Sequence, residues 1–455
     1  MKPSKTILVL MLVILLAAVG LTTSFAKRRA SFAVANVPFG VGSLAVPTAV
    51  PEATSVSWYC TIPPSIGAIT TDGVVLENPT RFERRLLISS EVGKHLEHGI
   101  MLAHSSLRLL LTPGNGRVIV SSGGVVAFVE TRTTPTAVPQ IRPCSSSPST
   151  NWTFEGLSTR TGTQSAISVY NPFKVEAVVD FSYYSSQGVI AVPSVEGLIV
   201  KPGKVMTLNV ERFAPNAADI AATVTARSGS VVAVASTAAP NTQEVLGDAA
   251  PSTQLYLPYI PVTGLKALAL HLVNTSALAD PVTISLAGFD GTSDVADMGT
   301  MHAVERVTIP ANSPLTIDLT SIATATSTGA VAIKVAARNA IDGLGSIQTS
   351  NPATPFYEIT PVFFHAARWW LSCIANPPTN NPDVVSSRAS LLTVIGGSLA
   401  GGHRQRSTST NILRPSVGPI GLTSTTPSLY ELHFSHAVTA GVVPFIEGCA
   451  MLPAT

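Results

Sequence analysis

Apolar positions along this chain fall into short alternating or continuous runs closed by turn residues, the period-two pattern of strands rather than the 3.6 period of helices. Residues 166–170 read as one strand and residues 175–183 as the next, with Asn171-Pro172 between them as a hairpin turn. The same arrangement recurs at 74–88, broken by Asn78-Pro79, and at 268–286, broken by Asn274-Thr275. The chain therefore reads as copies of one β unit. An aromatic residue opens each copy, Trp58, Trp152 and Tyr256, and precedes the Asn by 20, 19 and 18 residues respectively. Each copy then continues with further strand runs, at 107–111 and 125–129, at 205–210, 221–226 and 231–235, and at 315–319 and 331–336. In the first copy Pro113-Gly114-Asn115-Gly116 marks a turn, because Pro presets φ and Asn and Gly tolerate positive φ. A fourth stretch opens at Trp369-Trp370 and Cys373 and has strand runs at 391–395 and 429–434, but no clean Asn-Pro turn. Divergence of a terminal copy is expected where a unit has a neighbour on one side only.

The expected fold class is all-β, with tandem immunoglobulin-like β-sandwich modules following a single N-terminal transmembrane or signal helix. The boundaries expected from the repeats are 1–31 for that helix, 32–54 for a Pro/Ala-rich linker, 55–146, 147–250 and 251–362 for three modules, and 363–455 for a divergent fourth. Residues 90–104 are the nearest candidate for an amphipathic helix, and they fit a long inter-strand loop equally well.

The N-terminal segment sets the compartment. Lys2 and Lys5 precede an apolar stretch over residues 7–21, long enough for a membrane span or the core of a signal peptide. Ser24-Phe25-Ala26 has the small-x-small form of a cleavage site, whereas Lys27-Arg28-Arg29 directly after it is unfavourable for cleavage. Positive charge is balanced on the two sides, so orientation is not fixed by it. Both a cleaved, secreted form and a membrane-anchored form stay open, and both place the rest of the chain outside the cytoplasm. Gly40-Val41-Gly42 imitates a dinucleotide fingerprint, but Pro47 and Pro51 prevent the helix on which a pyrophosphate would rest.

Composition narrows the partners. Charged residues make up 12% of the chain, where about 25% is usual. Net charge is +2 and the dense basic groups are confined to residues 27–29 and 404–406, so nucleic acid is not an expected partner. Four cysteines, Cys60, Cys144, Cys373 and Cys449, suit an oxidising compartment. Three pairings are formally open. Cys60 with Cys144 and Cys373 with Cys449 would each staple one module, each closure worth about 4 to 5 kcal/mol in the chain-entropy model.

Trp58 and Cys60, the phrase Asn151-Trp152-Thr153-Phe154-Glu155-Gly156, and the Asn78-Pro79 and Asn171-Pro172 turns together resemble a family of uncharacterised exported actinobacterial proteins with repeated β-sandwich-like units. The likeness covers about the first half of the chain, with a weaker echo to Ile333. The third unit departs from it, having Tyr256 in place of Trp, and so does the fourth. The resemblance implies no activity. It implies a cell-envelope role only by association, since genes of that family lie near cell-envelope glycosyltransferases.

Chemistry-bearing clusters are few. His95, Glu97, His98 and His104 offer zinc donors, but their spacing matches no His-Glu-x-x-His or structural zinc pattern, and solvated loop histidines are expected. Asp290, Asp294 and Asp297 lack the spacing and closing Glu of an EF-hand and read as a turn. Ser398 with His403, His433 or His436 is the material for a hydrolase site in the fourth module. Yet Gly396-Gly397-Ser398-Leu399-Ala400 misses the last Gly of a nucleophile elbow. Trp369, Trp370, Tyr183 and Tyr184 are the candidate glycan contacts, since exposed aromatic faces stack on sugar rings, whereas Trp58 and Trp152 are expected in cores. The sequence thus points to a non-enzymatic structural or interaction protein with no catalytic residues, no metal and no cofactor. Its expected partners are a cell-envelope protein or glycan, and the membrane through the N-terminal helix. A glycan-binding protein is the alternative, and a hydrolase the remoter one.

Overall fold

The computed structural model describes residues 55–350 apart from 67–69, 79–81, 93–96, 104, 110–111, 133–139, 239–242, 247–250, 263, 290–301 and 328–329. Beyond 350 it describes the strands between 356 and 454 by their backbone. The N-terminal segment and linker lie outside the described residues. Among the described residues no helix is long and apolar enough to cross a membrane.

The first eight strands are β1 (Val56–Ile62), β2 (Thr70–Asn78), β3 (Arg84–Ser89), β4 (Glu97–Met101), β5 (Ser105–Leu109), β6 (Asn115–Ser121), β7 (Val126–Arg132) and β8 (Gln140–Pro143). They form two four-stranded sheets in the orders β1-β6-β3-β4 and β5-β2-β7-β8. Alternation along β1 turns Trp58, Cys60 and Ile62 into one core, where they meet Val74 and Leu76 of β2 and Phe128 of β7 from the other sheet. One apolar core therefore lies between two sheets.

The order recurs in β9 (Asn151–Leu157), β10 (Gln164–Tyr170), β11 (Ala177–Ser185), β12 (Gly188–Ile190), β13 (Leu198–Val200), β14 (Val205–Asn209), β15 (Ile220–Ser228), β16 (Val232–Ala238) and β17 (Gln243–Leu246). The sheets are β12-β11-β15-β9, with β13 also on β11, and β14-β10-β16-β17. It recurs again in β18 (Ser252–Pro261), β19 (Leu265–Asn274), β20 (Asp280–Phe289), β21 (His302–Ile309), β22 (Ser313–Asp318), the short helix α1 (Thr320–Thr326), β23 (Ala330–Thr349) and β24 (Phe356–Ile359). Here the sixth and seventh strands are one. The first part of β23 pairs with β18 and β20, and the remainder with β19 and β24. Where the strand changes sheets, the buried Asp280 carboxylate accepts hydrogen bonds from the backbone N–H groups of Arg338 (3.1 Å) and Asn339 (2.9 Å).

The last strands are β25 (Ala366–Cys373), β26 (Ala389–Ile395), β27 (Leu399–Gln405), β28 (Asn411–Leu413), β29 (Ile420–Thr423), β30 (Ser428–Val442) and β31 (Cys449–Ala454). β28-β27-β30-β25 repeats the first sheet order, and β26 joins β29 to the later part of β30. β31 departs from the pattern. β8, β17 and β24 lie beside the seventh strand, whereas β31 pairs with β25, the first strand of its own set.

Two expectations are corrected. The Asn turns are not hairpins, because the strands before and after each one do not pair with each other: β2 and β3, and β10 and β11, lie in different sheets, and β19 and β20 pair with different parts of β23. Each connection is an arch over the core. Tyr256 also does not take the place of Trp58 and Trp152: its neighbours Leu255 and Leu257 enter the third core, while Tyr256 is buried on the opposite face with Lys334 over its ring at 5.7 Å. The central strand pairs, second with fifth and third with sixth, are those of an immunoglobulin sandwich. The edges are exchanged relative to it, with the first strand beside the sixth and the seventh beside the second.

Successive sets pack sheet to sheet. Val118 of β6 belongs to the second core, with Tyr59 and Val120 packed against it. A Cβ on Gly116 would lie 2.2 Å from the Tyr170 ring, so that ring rests directly on backbone. The Tyr170 hydroxyl donates to the Ser90 carbonyl (2.7 Å), and the Val92 N–H donates to the Pro172 carbonyl (2.7 Å). Between the second and third sets, Tyr184, Ala221 and Val273 form a small buried cluster. β18 then lies against β30, and β31 against β8, so the succession of sheets returns to the first set.

Candidate functional site

Three buried asparagines, Asn78, Asn171 and Asn274, each end a second strand and brace an arch. Each Nδ2 donates to the carbonyl four residues on, at Phe82 (2.8 Å), Val175 (2.7 Å) and Leu278 (2.7 Å). Each also reaches the end of the strand beside the third, at the carbonyls of Leu102 (2.8 Å), Val200 (2.9 Å) and Pro310 (3.2 Å). The Oδ1 atoms of Asn171 and Asn274 accept the N–H groups two residues on, from Phe173 and Ser276, both at 3.0 Å. A side-chain amide is suited to this work because it offers two donors and an acceptor in one plane. The side chains whose carbonyls are gripped point outward: Phe82, Val175 and Leu278 are 55%, 65% and 71% exposed.

The opening tryptophans are equally consistent. Trp58 donates its Nε1–H to the Val125 carbonyl (2.6 Å) and Trp152 to that of Val231 (2.8 Å), in each case just before the seventh strand. Both rings are fully buried, so the indole fills the core while its single donor is satisfied. A disulfide joins Cys60 to Cys144, with Cα atoms 4.7 Å apart.

The glycan candidates separate. Tyr183 is fully buried and Tyr184 is 8% exposed, so neither presents a face to a sugar. Alternation along β11 directs Tyr183 into the second core, and Tyr184 is covered by the third set. The Tyr183 hydroxyl meets no hydrogen-bond partner among the described residues, and burial raises its pKa. Its ring stacks on Phe213 (centroids 5.7 Å apart). Phe213 in turn lines an open depression of about 410 Å³ with Thr207, Leu208, Asn209, Glu211 and Arg212. Trp369 and Trp370 occupy consecutive positions on β25, which is paired on both edges.

The remaining candidates are dispersed. Glu97 and His98 lie on β4, so no helix gathers the histidines there, and His95 and His104 fall outside the described residues. Asp290, Asp294, Asp297 and Ser398 also fall outside them. His403 is on β27, and His433 and His436 are on β30, where the backbone of His433 pairs with Gly401 and Arg368. Among the described residues no group of three or more His, Cys, Asp or Glu side chains is gathered for a metal ion.

Sequence reasoning missed His271. On β19 its ring bridges two strands, with Nδ1 2.8 Å from Thr316 Oγ1 and Nε2 2.8 Å from Ser346 Oγ. Asp219 of the second set stands 3.8 Å from Nδ1, and Gly156, at φ +68°, leaves room for the ring. Burial lowers the His271 pKa, and the Asp219 carboxylate opposes that shift. The available signal was a single imidazole in the middle of the apolar run 268–273.

The architecture and its braces define a class, a repeated two-sheet β protein. Residues 142–348 match the model described as "Family of unknown function (DUF5719)", a span running from β8 through the second set and most of β23. No curated protein matches the chain.

Proposed function

We propose that this chain is an exported, non-enzymatic structural or interaction protein of the cell envelope. In this reading it is a tandem array of immunoglobulin-like modules over 55–146, 147–250, 251–362 and 363–455. The N-terminal apolar segment either anchors the array in the membrane or is removed when it is secreted. The observation that carries the reading is the repeated arch. A buried Asn fixes the backbone while the residue it grips carries an exposed apolar side chain, Phe82, Val175 or Leu278. Rigid backbone bearing an apolar tip suits contact with a partner, because little conformational freedom remains to be lost on binding. Photo-crosslinking from these three positions in intact cells tests it. Adducts to envelope proteins or glycan from these positions, absent when the crosslinking residue is placed instead at exposed Val189, support the proposal. A protein recovered in the cytosol with no such adducts overturns it.

Glycan binding is the second reading, favoured by the depression beside Phe213, where an aromatic ring adjoins Asn209, Glu211 and Arg212. An aromatic face with polar side chains at its rim is the chemistry that holds a sugar. Co-sedimentation with purified cell-wall glycan decides it. Saturable binding lost in Phe213→Ala places the site in the second module, and loss only in Trp369→Ala, Trp370→Ala places it in the fourth. No binding by the wild type removes this reading.

A further inference from the structure

We propose that Cys373 and Cys449 form a second disulfide, which fastens β31 to β25 and so fixes the strand that lies along β8 of the first set. The argument begins with the bond already present. After β8 the chain crosses to β1, where the Tyr59 N–H donates to the Ser145 carbonyl (2.8 Å) and the Ser145 N–H to the Tyr59 carbonyl (3.1 Å). Two mutual bonds make that a hydrogen-bonded antiparallel pair, so the adjacent residues, Cys60 and Cys144, form the non-hydrogen-bonded pair where backbones approach most closely. Their disulfide thus links the first strand of the set to the residue that follows its eighth.

The last set repeats this placement. β25 and β31 are its first and final strands, they pair antiparallel, and Cys373 stands directly opposite Cys449. Residues opposite each other on antiparallel strands have Cα atoms about 4.5 to 5.5 Å apart, within the span a disulfide bridges. In both sets a cysteine on the first strand faces one from the last part of the set. The second and third sets have none between Asn151 and Ile359.

The position explains the purpose. β31 has left the seventh-strand edge used by β8, β17 and β24, and it lies against β8, where the end of the array meets its beginning. β31 is the edge strand of its sheet, beside β25 alone, and such edges open readily; a covalent tie to β25 prevents it. Formation removes one proton and one electron from each thiol. An S–S bond replaces two S–H bonds, and a protein disulfide or glutathione disulfide takes up the electrons and protons, being reduced to two thiols. In the cell the bond needs an oxidising compartment, so there it rests on the export proposed above; its chemistry in vitro does not.

The test therefore uses the purified full chain equilibrated with excess glutathione disulfide, alkylated under denaturing conditions, digested and mapped by mass spectrometry without reduction. The expected result is a linked pair of peptides containing Cys373 and Cys449, lighter by two hydrogen atoms than the two thiol peptides. In Cys373→Ser, Cys449 should carry a glutathione or alkyl group in place of a protein link, the Cys60–Cys144 link should persist, and amide exchange in β31 should accelerate at least tenfold. Cys373 and Cys449 carrying glutathione or alkyl groups in the wild type, or links from either of them to Cys60 or Cys144, overturn the pairing. Unchanged exchange in β31 of the variant overturns the fastening role.

Discussion

Replacing Asn171 by Ala tests whether the arch is held by one side chain. The substitution strips three hydrogen bonds, to Val175 O, to Val200 O and from Phe173 N. The Val200 carbonyl bond is in buried surroundings, and leaving such a group without a partner costs about 1–3 kcal/mol. The other two lie nearer the rim, where water replaces part of what is lost, and contribute about 0.5–1.5 kcal/mol each. The three together span about 2–6 kcal/mol, and a loss of about 3 kcal/mol, toward the lower end because water replaces part of what is lost, corresponds to roughly a hundredfold change in an opening equilibrium. Because a chain of several modules does not unfold in one step, a global midpoint is the wrong readout. Hydrogen exchange, in the regime where its rate reports the opening equilibrium, should speed up about a hundredfold in β10, β13 and β14 and stay unchanged in β2. Asn171→Asp sharpens the test. It keeps an acceptor for the Phe173 N–H but turns a carboxylate toward two carbonyl oxygens, so at neutral pH it should be worse than Ala. Acidification should relieve it partly, since a protonated carboxyl regains one donor. An Ala variant whose exchange changes less than about threefold, near 0.6 kcal/mol, would refute the brace, as would an Asp variant milder than Ala.

Trp152→Phe removes one of the two donors to the Val231 carbonyl, which keeps the Ser149 N–H (2.9 Å), and opens a small cavity, which should destabilise the second module by about 1–3 kcal/mol in local exchange at β9 and β16. Gly116→Ala sets a methyl group against the Tyr170 ring; the Tyr170–Ser90 bond should break, and protection around Ser90 and Val92 should fall while the second core stays protected. His271 has a folded pKa below its unfolded value of about 6.5, so the unfolded chain binds more protons between those two values. Stability of the third module should be constant above about pH 6.5 and fall as pH drops toward the folded pKa, with the slope flattened in His271→Gln.

Strand content was legible because period-two runs and turn residues depend on local sequence alone. The run at 166–170 lies within β10 and that at 231–235 begins one residue before β16. The arch at Asn171-Pro172 was misread because a turn signal marks where the chain bends, not which partner receives it. Only the carbonyls of Val175 and Val200 explain the Asn. Tyr256 failed for a related reason. A one-residue offset on a strand reverses the face, and counting residues from Trp58 and Trp152 left it unseen. Tyr183 and Tyr184 offered aromatic surface on paper, whereas their burial comes from packing that includes a neighbouring set. Phe213 carried no pattern of its own, since a short turn placed it over Tyr183.

The fused strand β23 acts as a single beam through two walls. In the first two sets a turn separates the sixth and seventh strands, so one sheet can open while its companion keeps its register. β23 permits no such independence, because a slip of one residue against β18 and β20 must displace the same peptide chain against β19 and β24. Asp280 pins it where it crosses from one wall to the other. Under tension along the chain, the third set should therefore yield all at once or not at all.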